Sequence, residues 1–165
     1  MSLKPAMLEA MNKQINAEFY SSFLYLAMAA HFESEALPGI ATWLKLQADE
    51  ERGHAMKFFG HVLDRGAKPV LGAIQAPPSQ WPSAEEAFKQ VLEHEEHVTG
   101  LINALAALAR KEADFASENF LQYFIKEQVE EEAQAQLLYT QFQMAGASKG
   151  SLMMMDHRLG KRAAE

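Results

Sequence analysis

Glu51 and His54 stand three residues apart in the stretch Gln47-Ala48-Asp49-Glu50-Glu51-Arg52-Gly53-His54. On an α-helix such a pair shares one face, about one turn apart, so a carboxylate oxygen and an imidazole nitrogen can reach a single cation. One such pair is commonplace on solvated helices. It becomes chemistry only if other helices bring further ligands to the same depth. Alternating steps of three and four residues follow the inner seam of a helical bundle. Traced this way, the first seam reads Leu8, Met11, Ile15, Glu18, Ser22, Tyr25 and Ala29, and the second Ile40, Leu44, Gln47, Glu51, His54, Phe58 and His61. The third reads Phe88, Val91, Glu95, Val98, Ile102 and Leu105, and the fourth Leu121, Phe124, Gln128, Glu131, Ala135 and Leu138. Each seam is largely apolar, and each carries one carboxylate near its middle: Glu18, Glu51, Glu95 and Glu131. His54 and Gln128 lie one turn from two of them.

Leaving one buried charge uncompensated costs roughly 3–5 kcal/mol, and four would approach the whole ~5–15 kcal/mol stability of a domain. Protonation would neutralise some of them. Divalent metal is the simpler compensation, and carboxylates with one imidazole suit iron or manganese and also accept zinc. A second acidic set lies alongside. Glu50 precedes Glu51, and Glu127, Glu130 and Glu131 sit within Glu127-Gln128-Val129-Glu130-Glu131-Glu132. Glu50, Glu127, Glu130 and Glu131 either converge between the second and fourth helices or form an acidic outer face. His94 and His97 read as supporting or surface residues, and His61 as packed or solvated. His31 and His157 read as surface, Met153 to Met155 as packing, and Trp43 and Trp81 as core or interface. Lys161-Arg162 is a tail too short to be a DNA arm.

The elements that must position these groups are readable. Ala, Leu, Glu, Gln, Lys and Met dominate between a few breakers, which favours helix. Pro5 suits a first turn, Leu37-Pro38-Gly39 ends one helix and opens the next, and Ser83 with Glu86 forms a capping-box signal. The expected helices span about 5–35, 39–65, 83–111 and 115–145, with a short fifth over about 148–159 stopped by Gly160. The first and third links are short, so the pairs they join are antiparallel neighbours. The middle link, about 17 residues with Pro69, Pro77, Pro78 and Pro82, is long enough to cross the bundle and make the second and third helices parallel. The fold class is all-α: a ferritin-like four-helix bundle with one long crossover. The 165 residues form one domain.

Composition narrows the function. Fifteen basic against twenty-two acidic residues give a net charge of −7, which opposes nucleic acid and suits cations. With no cysteine there is no disulfide framework and no thiolate-held metal. The N-terminus lacks a signal h-region and no apolar run reaches the ~18 residues of a membrane span, so a cytoplasmic protein is expected.

With those residues in view, the chain resembles a bacterial non-haem ferritin over nearly its whole length. The resemblance rests on Asn16-Ala17-Glu18-Phe19-Tyr20-Ser21-Ser22, Glu50-Glu51-Arg52-Gly53-His54, Glu93-His94-Glu95 and Glu127-Gln128-Val129-Glu130-Glu131. It implies an intrasubunit ferroxidase centre. One iron site would use Glu18, Glu51 and His54, with Glu51 bridging. The other would use Glu51, Glu95 and Glu131, with Gln128 close by. A third iron site would use Glu50, Glu127, Glu130 and Glu131, and Tyr25 matches the tyrosine beside the centre. A symmetric di-iron bundle would repeat Glu-x-x-His on the fourth helix; here that place reads Gln128-x-x-Glu131. The second iron is therefore expected to be weaker and more labile. Arg52 stands where bacterioferritins carry their haem-binding methionine, so no haem is expected. A cysteine-free chain cannot make the iron site of rubrerythrins.

The implied activity is oxidation of Fe(II) by O2 or H2O2, with ferric oxyhydroxide stored in a hollow shell of twenty-four subunits. The fifth helix would line fourfold axes, and Glu118, with Asp114, the threefold entry channels. A DNA-protecting mini-ferritin, a di-iron oxygenase component and a metal-free structural bundle are the alternatives.

Overall fold

The computed structural model describes residues 2–163. Among the described residues there are five helices: α1 (Pro5–Ser34), α2 (Pro38–Asp64), α3 (Ala84–Lys111), α4 (Phe115–Ala145) and α5 (Lys149–Leu159). No strand occurs among the described residues. Prolines open α1 and α2, where a missing N–H costs nothing. Ser83, Asp114 and Ser148 open the other three with side-chain oxygens that accept from the N–H groups of Glu86, Ser117 and Ser151, so otherwise unmatched donors are satisfied. α3 also carries Glu85 and Glu86 in its first turn and Arg110 and Lys111 in its last, each sign placed against the opposite end of the helix dipole. Ala36 and Ala113 make the two tight links at positive φ (59° and 52°).

Cross-helix bonds fix the directions. The start of α1 meets the end of α3, where Lys4 Nζ donates to the Glu112 carbonyl at 2.7 Å. Midway along both helices, Ser21 Oγ meets His94 Nε2 at 2.7 Å. α1 and α3 are therefore antiparallel. The end of α2 meets the start of α4 through Arg65 and Asp114 at 2.8 Å, and mid-helix Gln47 donates to Glu131 at 2.8 Å. α2 and α4 are antiparallel too. With the short α3–α4 turn reversing direction again, α2 and α3 run parallel, as the crossover over 66–83 requires.

The seams are buried as traced, except that Leu8, Ser22 and His61 are only partly so. The core divides in two. Tyr25, Met28, Phe32, Trp43, Leu44, Phe88, Phe142, Met155 and Leu159 pack one end of the bundle. Met7, Met11, Ile15, Phe58, Val62, Ile102, Leu121 and Phe124 pack the other. A buried polar layer lies between them: Gln14, Glu18, Gln47, Glu51, His54, Glu95, Gln128 and Glu131.

The fifth helix docks on the start of α2. The Ile40 N–H donates to Asp156 Oδ1 at 2.8 Å, so Asp156 caps an orphan donor of α2 from outside. Of the three consecutive methionines expected to pack, only Met155 does so within the chain; Met153 and Met154 are exposed. His31, expected at the surface, is half-buried with its ring edge-on to Phe32 and Trp81.

Candidate metal centre

Each of α1 to α4 contributes a carboxylate to the layer because each seam interrupts its apolar run at the same depth. Ligand atoms of Glu18, Glu51 and His54 lie within 4.8 Å of one another, all three residues buried. Glu18 Oε1 accepts from Gln14 Nε2 at 2.8 Å, one turn earlier on α1. Its other oxygen, Oε2, is buried with no hydrogen-bond partner. A buried carboxylate oxygen left in that state is costly, and a cation held with Glu51 and His54 would satisfy it. The donor set of hard carboxylates and one imidazole fits iron(II) or manganese(II). His54 Nδ1 lies 3.2 Å from Glu51 Oε2 and His54 Nε2 lies 4.0 Å from Glu127 Oε2, so the ring stands between two acidic groups.

Glu95 and Glu131 complete the layer from α3 and α4. Tyr25, fully buried on α1, donates its hydroxyl to Glu95 Oε1. Gln128 Nε2 donates to Glu95 Oε2 at 3.1 Å and approaches the Glu95 carbonyl at 3.2 Å. His94 packs its ring edge-on against Tyr25 at 5.9 Å and supports the tyrosine from behind. Burial pushes the His94 pKa down to about 4, with His97 adding to the effect, so it sits there as a neutral ring.

Burial raises the pKa values of the four carboxyls of the layer, and neighbouring carboxyls add to the effect. Burial and the neighbouring Glu51 hold the Glu18 carboxyl well above the usual range. Burial, then Glu95 and Glu131, do the same to Glu51. Burial, Glu95 and Glu50 raise Glu131 to about 8. Burial raises Glu95, against the opposing bonds from Tyr25 and Gln128. Each shift favours the protonated carboxyl over the charged one unless a cation is held there.

The second acidic set is only partly assembled. Glu50, Glu127 and Glu131 bring ligand oxygens within 4.8 Å of one another. Glu130 does not join them: its side chain is 67% exposed and faces Lys126, one turn earlier, at 3.9 Å. The step of three from Glu127 carries it past the α2–α4 groove to the outside. Three further residues take part. Gln47 was on the seam but had no role; it donates to Glu131 Oε2. Arg162, read as part of a plain tail, donates Nη2 to Glu50 Oε2 at 2.5 Å and Nη1 to Gln47 Oε1 at 2.9 Å. Gln14, which bonds Glu18, lies beside the traced seam and carries no sequence signal of its own.

The acidic residues expected at an entry channel are already engaged. Asp114 caps α4 and pairs with Arg65; bonds from Arg65 and Ser117 hold its carboxyl below the usual range despite the opposing effect of burial. Glu118 accepts from both Nε and Nη2 of Arg110 at 3.0 and 2.7 Å.

Four helices with one long crossover, enclosing carboxylates and an imidazole at mid-depth, define the ferritin-like class of bundles. The chain belongs to that family: a family profile described as ferritin-like domain matches residues 8–145. The bacterial non-heme ferritin of Bacteroides fragilis is 41% identical over 93% of this chain and 95% of that protein. Its counterpart in Staphylococcus aureus is 36% identical over 97% and 96%. Among solved structures, an open pore ferritin from the hyperthermophilic archaeon Archaeoglobus fulgidus is 45% identical, with a TM-score of 0.97 over 99% of this chain and 100% of that one. Iron storage is the function these relationships support. No helix among the described residues is long and apolar enough to cross a membrane.

Proposed function

We propose that this chain is a ferroxidase and that its substrate iron is oxidised within each subunit. The observation that carries this reading is the unpartnered Glu18 Oε2 beside Glu51 and His54, in a layer of carboxylates held above their normal pKa. One Fe(II) is taken by Glu18, Glu51 and His54. A second is taken by Glu51, Glu95 and Glu131, with Gln128 orienting Glu95, so that Glu51 is shared. Two adjacent Fe(II) ions supply the two electrons that reduce O2 to peroxide, or H2O2 to water, without release of a radical. Carboxylates bind Fe(III) more tightly than Fe(II) and so favour the oxidised product. Tyr25 holds Glu95 through its hydroxyl. Glu50, Glu127 and Glu131 take a further iron, and Glu130 reaches that site only by turning inward. All these ligands come from one chain, which favours this reading over a small DNA-protecting shell whose ligands lie between subunits. Assembly into a hollow 24-subunit shell that stores ferric oxyhydroxide, and work in the cytoplasm, belong to the same proposal and rest on family resemblance.

The test is anaerobic Fe(II) loading followed by an oxygen pulse, with Fe(III) absorbance followed near ~300 nm. A fast phase is expected to saturate at about two to three irons per chain. Glu51→Ala and His54→Ala are expected to slow it at least about ten-fold, a loss of ~1.4 kcal/mol or more in barrier lowering. Unchanged initial rates in both variants would refute the site.

A further inference from the structure

The C-terminal segment after α5 crosses back to the second acidic set and places one cation there. Arg162 Nη2 bonds Glu50 Oε2 at 2.5 Å, and its Nη1 bonds Gln47 Oε1 at 2.9 Å. Its guanidinium lies over the Trp43 ring, 4.9 Å from the centroid. The pair is largely shielded from water, the Arg162 and Glu50 side chains being 16% and 25% exposed. Gln47 extends the connection. Because its oxygen accepts from Arg162, its amide nitrogen is left to face Glu131, and that bond measures 2.8 Å. One guanidinium therefore contacts the Glu50 carboxylate and, through one amide, fixes the orientation of Glu131. Both carboxylates belong to the group whose oxygens converge with Glu127. The same guanidinium lines a cavity of about 450 Å³ that runs past Glu50, Gly53 and Glu127 to His54.

We propose that Arg162 is the resident counter-cation of the Glu50–Glu127–Glu131 group, and that a divalent metal entering there displaces it and releases the C-terminal segment from Trp43. This rests on the reading of that group as a metal site. Arg162 engages one oxygen of Glu50, and its fixed positive charge beside the group opposes the entry of a divalent ion, so the two compete. Occupancy of the Glu18–Glu51–His54 group does not face this competition, since none of its residues bonds Arg162. The device makes the outer group fill later than the inner one and lets it empty readily, because the displaced cation stays tethered nearby. Arg162 is in this sense a positioning residue that sets the affinity of a neighbouring site and touches no reacting atom.

Zn(II), which is redox-silent, is titrated into the assembled protein carrying Trp81→Phe, so that Trp43 is the single indole reporter. Binding is followed by calorimetry and by Trp43 emission. In the Arg162 protein the weaker class of Zn(II) sites is expected to fill with a change in Trp43 emission, as the guanidinium leaves the ring. Arg162→Ala is expected to tighten that class about ten-fold, the scale of one lost charge-assisted bond, and to abolish the emission change. Arg162→Gln should behave like Arg162→Ala, and Arg162→Lys should return toward the parent, because charge and not bulk is the competitor. If Glu127→Gln removes the weaker class while Arg162→Ala moves neither affinity nor emission, the metal site stands and the displacement is overturned. If Glu127→Gln leaves both classes intact, the group binds no metal and the proposal falls with it.

Discussion

At the scale of the residue, the buried carboxyls of the layer carry the strongest expectations. Glu18 keeps one buried oxygen without a partner, and its pKa is raised by burial and by Glu51. Glu18→Gln puts a neutral amide where burial and Glu51 oppose a carboxylate charge. The metal-free variant is expected to be about 1–3 kcal/mol more stable than the parent at neutral pH, while added Zn(II) should raise its Tm far less than the parent's; thermal melts with and without metal check both. Glu131 gives the pH dependence. Its folded pKa of about 8 exceeds its unfolded value near 4.3, so the folded state binds the extra proton between them. Stability of the metal-free protein from this group is full below about pH 4 and falls as pH rises toward 8, by up to about 1.4 kcal/mol per unit. Metal binding should accordingly release protons and tighten from pH 6 to 8, which calorimetry in buffers of different ionisation enthalpy measures. Glu18, Glu51, His54, Glu95, Gln128 and Glu131 were all legible as seam residues, because helical spacing alone puts them inward. Glu130 was not, since a carboxylate one step off the seam faces in or out according to helix rotation. Arg162 left no signal, because its partner is set by how a non-periodic tail folds back.

At the scale of the element, helix identity and order were legible from caps and prolines, and the crossover length carried the topology. The docking of α5 was not. It depends on Gly39, where an added Cβ would sit 1.8 Å from the Asp156 carbonyl oxygen, backbone that cannot step aside. Gly160 meets Gly39 from the other side, its own added Cβ 3.1 Å from the Gly39 Cα. Gly39→Ala is therefore expected to lift α5 from α2 and to break the bond from Ile40 to Asp156, destabilising the chain by about 1–3 kcal/mol. Hydrogen exchange should then show lost protection across 149–159 with the four-helix bundle still protected. Since Arg162 follows α5 directly, the same variant should loosen its hold on Glu50.

At the scale of the whole molecule, a single chain exposes Phe115, Val129, Met144, Met153 and Met154, large apolar groups that an assembly would cover. The expected particle is twenty-four chains of 18.4 kDa, about 440 kDa, and light scattering on the eluted peak measures it; a mass of one or two chains would refute the shell. The seam pattern holds no information on this number, since inward-facing residues say nothing about how outer faces meet. Glu118 and Asp114 illustrate the gap: the sequence offers two carboxylates for an entry funnel, and the folded chain matches them with Arg110 and Arg65.

The division of the core into two apolar ends and a polar middle has an engineering consequence. A builder seeking only a durable rod would fill those eight middle positions with leucine, isoleucine and phenylalanine, and buried ionic layers replaced in this way commonly give a tougher protein. Such a rod would be inert. The distance in melting temperature between it and the natural metal-free chain would express, in degrees, how much durability the lineage has relinquished to keep a working midline.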